Sequence, residues 1–220
     1  MKQKFETVKS LRPLRVLVFV AGVVLVFAAV YLASTQGRWL GVLFSNKQLN
    51  IAVDVARPAT WAHRLDLPGV PNFHKLSDEL YRGAQPTAEG MEQLEKLGIN
   101  TVVNLRSFHS DRDEIGDTGL AYEHIQMQTW DPDTEDVVRF VKIVTDSNRT
   151  PVFVHCQRGA DRTGMMCAIY RVAVQGWSKS EAIEEMTKGG FGFFRGWQEL
   201  VDHVLKLDVD DIKRRAALSE

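Results

Sequence analysis

Val152-Phe153-Val154-His155-Cys156-Gln157-Arg158-Gly159-Ala160-Asp161-Arg162-Thr163-Gly164 is the stretch from which the rest of this chain is read. Val152 to Val154 is a short β-branched and aromatic run, the pattern of a buried strand. It stops at His155-Cys156. After five intervening residues, Arg162-Thr163-Gly164 opens the apolar stretch Met165 to Val174, which has the composition of a buried helix. A cysteine behind a hydrophobic strand is by default a small, inert core side chain. Here His155, Cys156, Gly159, Arg162, Thr163 and Gly164 all fit a different arrangement. A loop closing on a helix start turns successive backbone N–H groups toward one anion.

The Cys-x5-Arg-Thr spacing resembles the signature loop of the cysteine-dependent phosphatases, the protein-tyrosine and dual-specificity superfamily. The resemblance gives each residue a role. Cys156 is the nucleophile, held as thiolate by the loop's positive field. The planar fork of Arg162 grips two phosphate oxygens. Gln157, Arg158, Gly159, Ala160 and Thr163 bind the substrate phosphate, with Gln157, Arg158 and Ala160 at the rim. Thr163 donates to the thiolate when water cleaves the phosphocysteine. His155 orders the loop and tunes Cys156. Sulfur-transfer loops of the rhodanese type are typically shorter. Low-molecular-weight tyrosine phosphatases carry the same spacing near the N-terminus, whereas here it comes late.

Working outward, Phe73–Leu76 and Leu80–Arg82 read as short strands. A helix capped by Thr87 runs to about Leu97 and stops at Gly98. Strands are expected at Thr101–Leu105 and Tyr122–Ile125, with a polar loop over Ser107–Gly119 between them. A helix over Glu135–Ser147 precedes the strand at 152–155, and helices near Lys179–Lys188 and Trp197–Leu207 follow the loop. This alternation predicts an α/β fold, a central sheet flanked by helices, with the cysteine at the C-terminal edge of a strand. Leu80 to Thr87 and Leu97 to Arg106 look like the opening of atypical dual-specificity phosphatases, including the plant-and-fungal type acting on inositol polyphosphates and bacterial relatives. That resemblance, over roughly 72–200, implies that Arg82 and Arg106 brace the site.

The general acid stays open. Asp131, in Trp130-Asp131-Pro132-Asp133, stands where most of the superfamily places an Asp ahead of the preceding helix; its plainer reading is helix capping with Asp133. Asp161 is the rival, since an acidic residue inside the loop resembles the myotubularins and bacterial triple-specificity phosphatases. Its plainer reading is a salt bridge with Arg158 or Arg82. Asp131 is preferred, with Asp133 and the loop Asp111–Glu114 next in line. No Cys/His cluster has metal-ligand spacing, so no metal or cofactor is expected. Cys167 reads as a core residue, or else as a resolving thiol for oxidised Cys156.

The N-terminus is of another kind. Val16 to Ala33 is 18 residues without a charge, close to the ~20 needed to span a bilayer. It is longer than a typical signal-peptide core, and cleavage after Ala33 would put the bulky Tyr31 at a position that wants a small residue. An uncleaved anchor is expected. Lys2, Lys4, Lys9, Arg12 and Arg15 precede the span, while only Arg38 and Lys47 soon follow it. The N-terminus should therefore stay cytoplasmic and the catalytic domain lie on the non-cytoplasmic, periplasmic side.

The expected organisation is a cytoplasmic N-terminus (1–15), a transmembrane helix (16–33), a juxtamembrane connector (34–70), a phosphatase domain (71–210) and a tail (211–220). Residues 1–15 carry five bases and one acid against a whole-chain charge of −1, so the remainder is net −5, which argues against nucleic acid as a partner. The expected substrates are phosphorylated protein or an inositol or lipid phosphate. A phosphate-binding pseudophosphatase is the alternative from another class; intact Cys156, Arg162 and Thr163 count against it.

Overall fold

The computed structural model describes residues 57–218. Six strands form one mixed sheet in the order β1-β2-β3-β6-β4-β5. They are β1 (His63–Arg64), β2 (His74–Lys75), β3 (Leu80–Gly83), β4 (Thr101–Asn104), β5 (Ala121–His124) and β6 (Val152–His155). The β1, β2 and β3 neighbours pair antiparallel; β3, β6, β4 and β5 pair parallel. The last strand in sequence is thus inserted at the centre, and its C-terminal end carries Cys156.

Among the described residues seven helices surround the sheet: α1 (Ala88–Lys96), α2 (Arg112–Ile115), α3 (Thr134–Thr145), α4 (Asp161–Ala173), α5 (Lys179–Lys188), α6 (Gln198–Lys206) and α7 (Val209–Ala216). Strand alternation sorts the central residues onto two faces. Val103, Val152 and Val154 face the larger cluster, with Phe140, Met165, Ile169, Leu200 and Ile212. Val102 and Phe153 face the smaller one, with Phe73, Met91, Leu94 and Ile115. Burying a side chain such as Phe153 stabilises the fold by about 1.5–3 kcal/mol.

Helix starts follow local chemistry. The Thr87 hydroxyl accepts from Gly90 N–H, the Asp133 carboxylate from Glu135 N–H, and Ser178 and Glu181 form a reciprocal capping box. Helices α2 and α6 start without such a cap, and so does α4. The last is buried nearly all round, as befits a central helix. Its first N–H groups are left for something other than the protein's own caps.

The expected domain limits, 71 and 210, fall inside the packed unit. Ala62, assigned to the connector, is buried and its N–H donates to Glu185 Oε1 at 2.6 Å. Glu185 forms a buried pair with Arg171 (2.7 Å), whose Nη2 also donates to the Thr60 carbonyl at 3.1 Å. The expected tail is mostly α7, which buries Ile212 and Ala216. A short helix, α2, interrupts the loop expected at 107–119. Among the described residues no helix is long and apolar enough to cross a membrane. The span expected at Val16–Ala33 lies outside them, as do Arg38 and Lys47.

Candidate active site

The Cys156 side chain is almost wholly buried, and burial alone would raise its pKa. Opposing this are the hydroxyl and N–H of Thr163, the charge of Arg162 and the Arg158 N–H, and the net result is a thiol pKa below its ordinary value. Four polar groups at an uncapped helix start thus outweigh desolvation. The fully buried Thr163 hydroxyl bonds no oxygen or nitrogen, which leaves its proton for the Cys156 sulfur. Cys167 shows the opposite balance: burial without donors pushes its thiol up to about 11, which makes it a poor thiolate.

The loop is braced from behind. Arg82 is buried; its Nη2 donates to the carbonyls of Gly159 (2.7 Å) and Ala160 (3.5 Å), and its guanidinium lies over the Phe191 ring at 3.7 Å. These contacts turn loop carbonyls away from the site, so that N–H groups can face it. Gly159 has φ +66°, and a Cβ there would sit 2.3 Å from the Gly83 carbonyl, so only glycine fits.

Arg162 is held without being neutralised. Its Nη1 donates to the carbonyls of Leu105 (3.1 Å) and Met127 (3.3 Å). Among the described residues no carboxylate lies within ion-pairing distance of it, which leaves the guanidinium charge for a phosphate.

The two acid candidates sit very differently. Asp161 is buried and its oxygens are in use: Oδ2 accepts from Arg158 Nη2 at 2.6 Å, and Oδ1 from Phe194 N–H at 2.8 Å. Asp131 is exposed on the segment leaving Met127, and none of the hydrogen bonds found engages its side chain. Asp133 is the α3 cap. Gln157 and Arg158 are exposed, whereas Ala160, expected with them at the rim, is buried at the helix start.

Those features are the chemistry of a thiolate phosphatase, and comparison with known proteins agrees. The family described as "DSP-PTPase phosphatase fused to NAD+ Kinase" matches residues 71–199. The chain belongs to this family of cysteine-dependent dual-specificity phosphatases. It is 32% identical over 183 residues to the dual specificity protein phosphatase TpbA of Pseudomonas aeruginosa, covering 82% of this chain and 83% of that one. The crystal structure of a cysteine-to-serine variant of P. aeruginosa TpbA in complex with pTyr superposes with a TM-score of 0.66 at 32% identity, covering 74% of this chain and 99% of that one. The inositol diphosphatase DSP5 of Arabidopsis thaliana is 28% identical over 128 residues, 54% of this chain and 61% of that protein.

In this dual-specificity phosphatase, sequence reasoning undervalued Asp111. It is fully buried, with Oδ2 2.6 Å from His155 Nε2, while Oδ1 accepts from Asn104 Nδ2 (2.9 Å) and Gln85 Nε2 (3.0 Å). Gln85 Oε1 in turn accepts from Arg106 Nη1 at 3.0 Å, so Arg106 braces this network. His109, Asp111 and Glu114 lie close enough to suggest a metal site. However, His155, Asn104 and Gln85 already engage both oxygens of Asp111, so the cluster reads as a hydrogen-bond network. Pairing of Asp111 with a histidine 44 positions later has no local signature.

Proposed function

We propose that this phosphatase hydrolyses phosphate monoesters, phosphotyrosine on protein foremost, through a phosphocysteine on Cys156. The observation that carries the proposal is the placement of Cys156 between the end of β6 and the uncapped start of α4, beside an Arg162 that no carboxylate among the described residues neutralises. Sγ attacks phosphorus while Arg162 and the loop N–H groups bind the equatorial oxygens. The P–O bond to the leaving group breaks, and Asp131 gives that oxygen its proton. Water then attacks the phosphocysteine, Asp131 takes up the proton, and Thr163 donates to the departing thiolate. Asp131 is preferred over Asp161 because its carboxyl is unengaged.

The pTyr in the TpbA complex supports phosphotyrosine as substrate. So do three exposed aromatics, Phe108 (91%), Trp130 (62%) and Phe194 (57%), on loops tethered to the site. Ser107 Oγ donates to the Met127 carbonyl at 2.7 Å, and the Phe194 N–H is bound by Asp161. The second reading, an inositol or lipid phosphate, is favoured by the name of the Arabidopsis relative. The loop here offers Arg158 and no lysine, one charge rather than several for a polyanion.

The apolar stretch Val16–Ala33 and the bases before it support a membrane anchor with the domain on the periplasmic side. A phosphatase reporter fused after Glu220 should be active only outside the cytoplasm; a cytoplasmic reporter signal would reverse the orientation.

Cys156→Ser should abolish turnover of an aryl phosphate while retaining binding of a phosphate mimic, because a serine hydroxyl is not ionised by the loop's field. Residual turnover above a trace would exclude the covalent route. A panel of phosphotyrosyl peptides, phosphoinositides and inositol polyphosphates then ranks the substrate classes.

A further inference from the structure

We propose that Asp111 is a positioning residue for the phosphatase reaction: through His155 it turns the positive end of a buried ion pair toward Cys156. The proposal rests on Cys156 being the nucleophile. Asp111 cannot serve as the acid, because it is fully buried and both of its oxygens are engaged.

The donor count around the pair makes the case. Oδ1 takes the amide hydrogens of Asn104 and Gln85, which leaves Oδ2 to His155 Nε2 at 2.6 Å. The other ring nitrogen, Nδ1, lies 3.3 Å from the Cys156 carbonyl oxygen. Both nitrogens of His155 therefore face oxygen acceptors. Each contact calls for an N–H, and the ring supplies two only as imidazolium. A carboxylate and an imidazolium make a pair of zero net charge, with the cation adjacent to the nucleophile. The ring is stacked on Phe153, centroids 5.7 Å apart, so it is held in this orientation.

Other polar and charged groups face the pair from each neighbouring element. His109 Nε2 lies 3.6 Å from Asp111 Oδ1 and 3.1 Å from Glu114. The Tyr122 hydroxyl accepts the Asp111 N–H at 3.0 Å. Arg106 reaches the pair through Gln85, and the charge of Arg162 favours the Cys156 thiolate.

Asp111→Asn keeps the shape and inverts one contact. Oδ1 must still accept from Asn104 and Gln85, so the new NH2 points at His155 Nε2. The ring then has to accept there and becomes neutral, protonated on Nδ1 alone. The probe is alkylation of Cys156 by iodoacetamide across pH, followed by peptide mapping. The expected result in Asp111→Asn is a midpoint raised by about one pH unit and an aryl-phosphate kcat/KM about tenfold lower on the acid side, recovering as pH rises, with KM unchanged. An unchanged or lowered midpoint overturns the proposal.

His109→Gln should leave the midpoint in place. A shift there as large as that of Asp111→Asn would move the effect to His109 and also overturn the proposal. Should Asp111→Asn fail to fold, 15N spectra of the wild-type histidines decide. Two protonated nitrogens on His155 at neutral pH are expected; one alone contradicts the pair. A wild-type protein that hydrolyses aryl phosphate but fails these tests loses only the role of Asp111. One that hydrolyses nothing loses the phosphatase reading itself.

Discussion

The two sides of the catalytic loop differ in how completely they are specified. Behind it, Asp111, His155 and Asn104 have no exposure and Arg82 has 1%, and each is fixed by partners from other elements. In front of it, Asp131, Arg158, Trp130, Phe108 and Phe194 are exposed. A thiolate needs donors that do not reorganise during the reaction, and only a packed, fully bonded interior holds them still. A substrate must enter and leave, so the surface that selects it remains open. On the proposed mechanism the support of the thiolate lies in the buried half, while the acid Asp131 and the side chains that would select a substrate lie in the exposed half.

If that division is right, the largest effect at the open rim should come from its one chemical group, Asp131. Asp131→Asn should lose roughly 10²–10⁴-fold on an alkyl phosphate, far less on an activated aryl phosphate, and the basic limb of its pH–rate profile. Asp161→Asn should lack this leaving-group dependence, because Asp161 braces Arg158 and Phe194. The reverse pattern would move the acid into the loop.

Arg162→Lys tests the fixed half. An ammonium cannot reproduce the two-point grip, nor hold the Leu105 and Met127 carbonyls in the same way. Steady-state kinetics should show kcat/KM about 10²–10³-fold lower. Near-normal kinetics would remove Arg162 from the transition state.

The aromatic rim should act on selection alone. Trp130→Ala or Phe194→Ala should raise KM for a phosphotyrosyl peptide by roughly fivefold, about 1 kcal/mol, and leave kcat on a small aryl phosphate unchanged. Equal losses on both substrates would erase the distinction between the two halves.

The smallest effect concerns the scaffold. Burial pushes the His74 ring down to about 4, ahead of the Asn72 carbonyl, which raises it, and the charges of Arg82, Arg57 and Arg64, which lower it. The folded ring binds a proton less well than the unfolded ring, whose ordinary value is 6.5. Its contribution to stability is thus complete above about pH 6.5 and is lost as pH falls toward 4. The stability of His74→Gln in thermal unfolding should fall less steeply across that window; a slope equal to the wild type's would show that the His74 ring binds its proton equally well in the folded and unfolded chain.

How much of this was legible follows from where the information lies along the chain. The strand, loop and helix around Cys156 are contiguous, so apolar pattern and residue type pointed directly to them. Thr87, Asp133 and Ser178 cap their helices through residues two or three positions away. Strand β1 is two exposed residues with no pattern to read. Helix α2 has four residues, too few for a period. Helix α7 was readable: Val209, Ile212 and Ala216 lie on one face, and the charges around them disguised it as a tail. The choice between Asp131 and Asp161, and the value of Asp111, depended on partners distant in sequence. Asp161 meets Phe194, and Asp111 meets His155, only in the folded chain.

The central claim is that Cys156 carries the phosphoryl group during turnover. Acid quenching of the enzyme within the first turnover on an aryl phosphate, followed by peptide mass spectrometry, tests it directly. The account predicts one phosphoryl group on the peptide containing Cys156, absent in Cys156→Ser. Product release with no phosphorylated peptide, or with the group on any other residue, would contradict it.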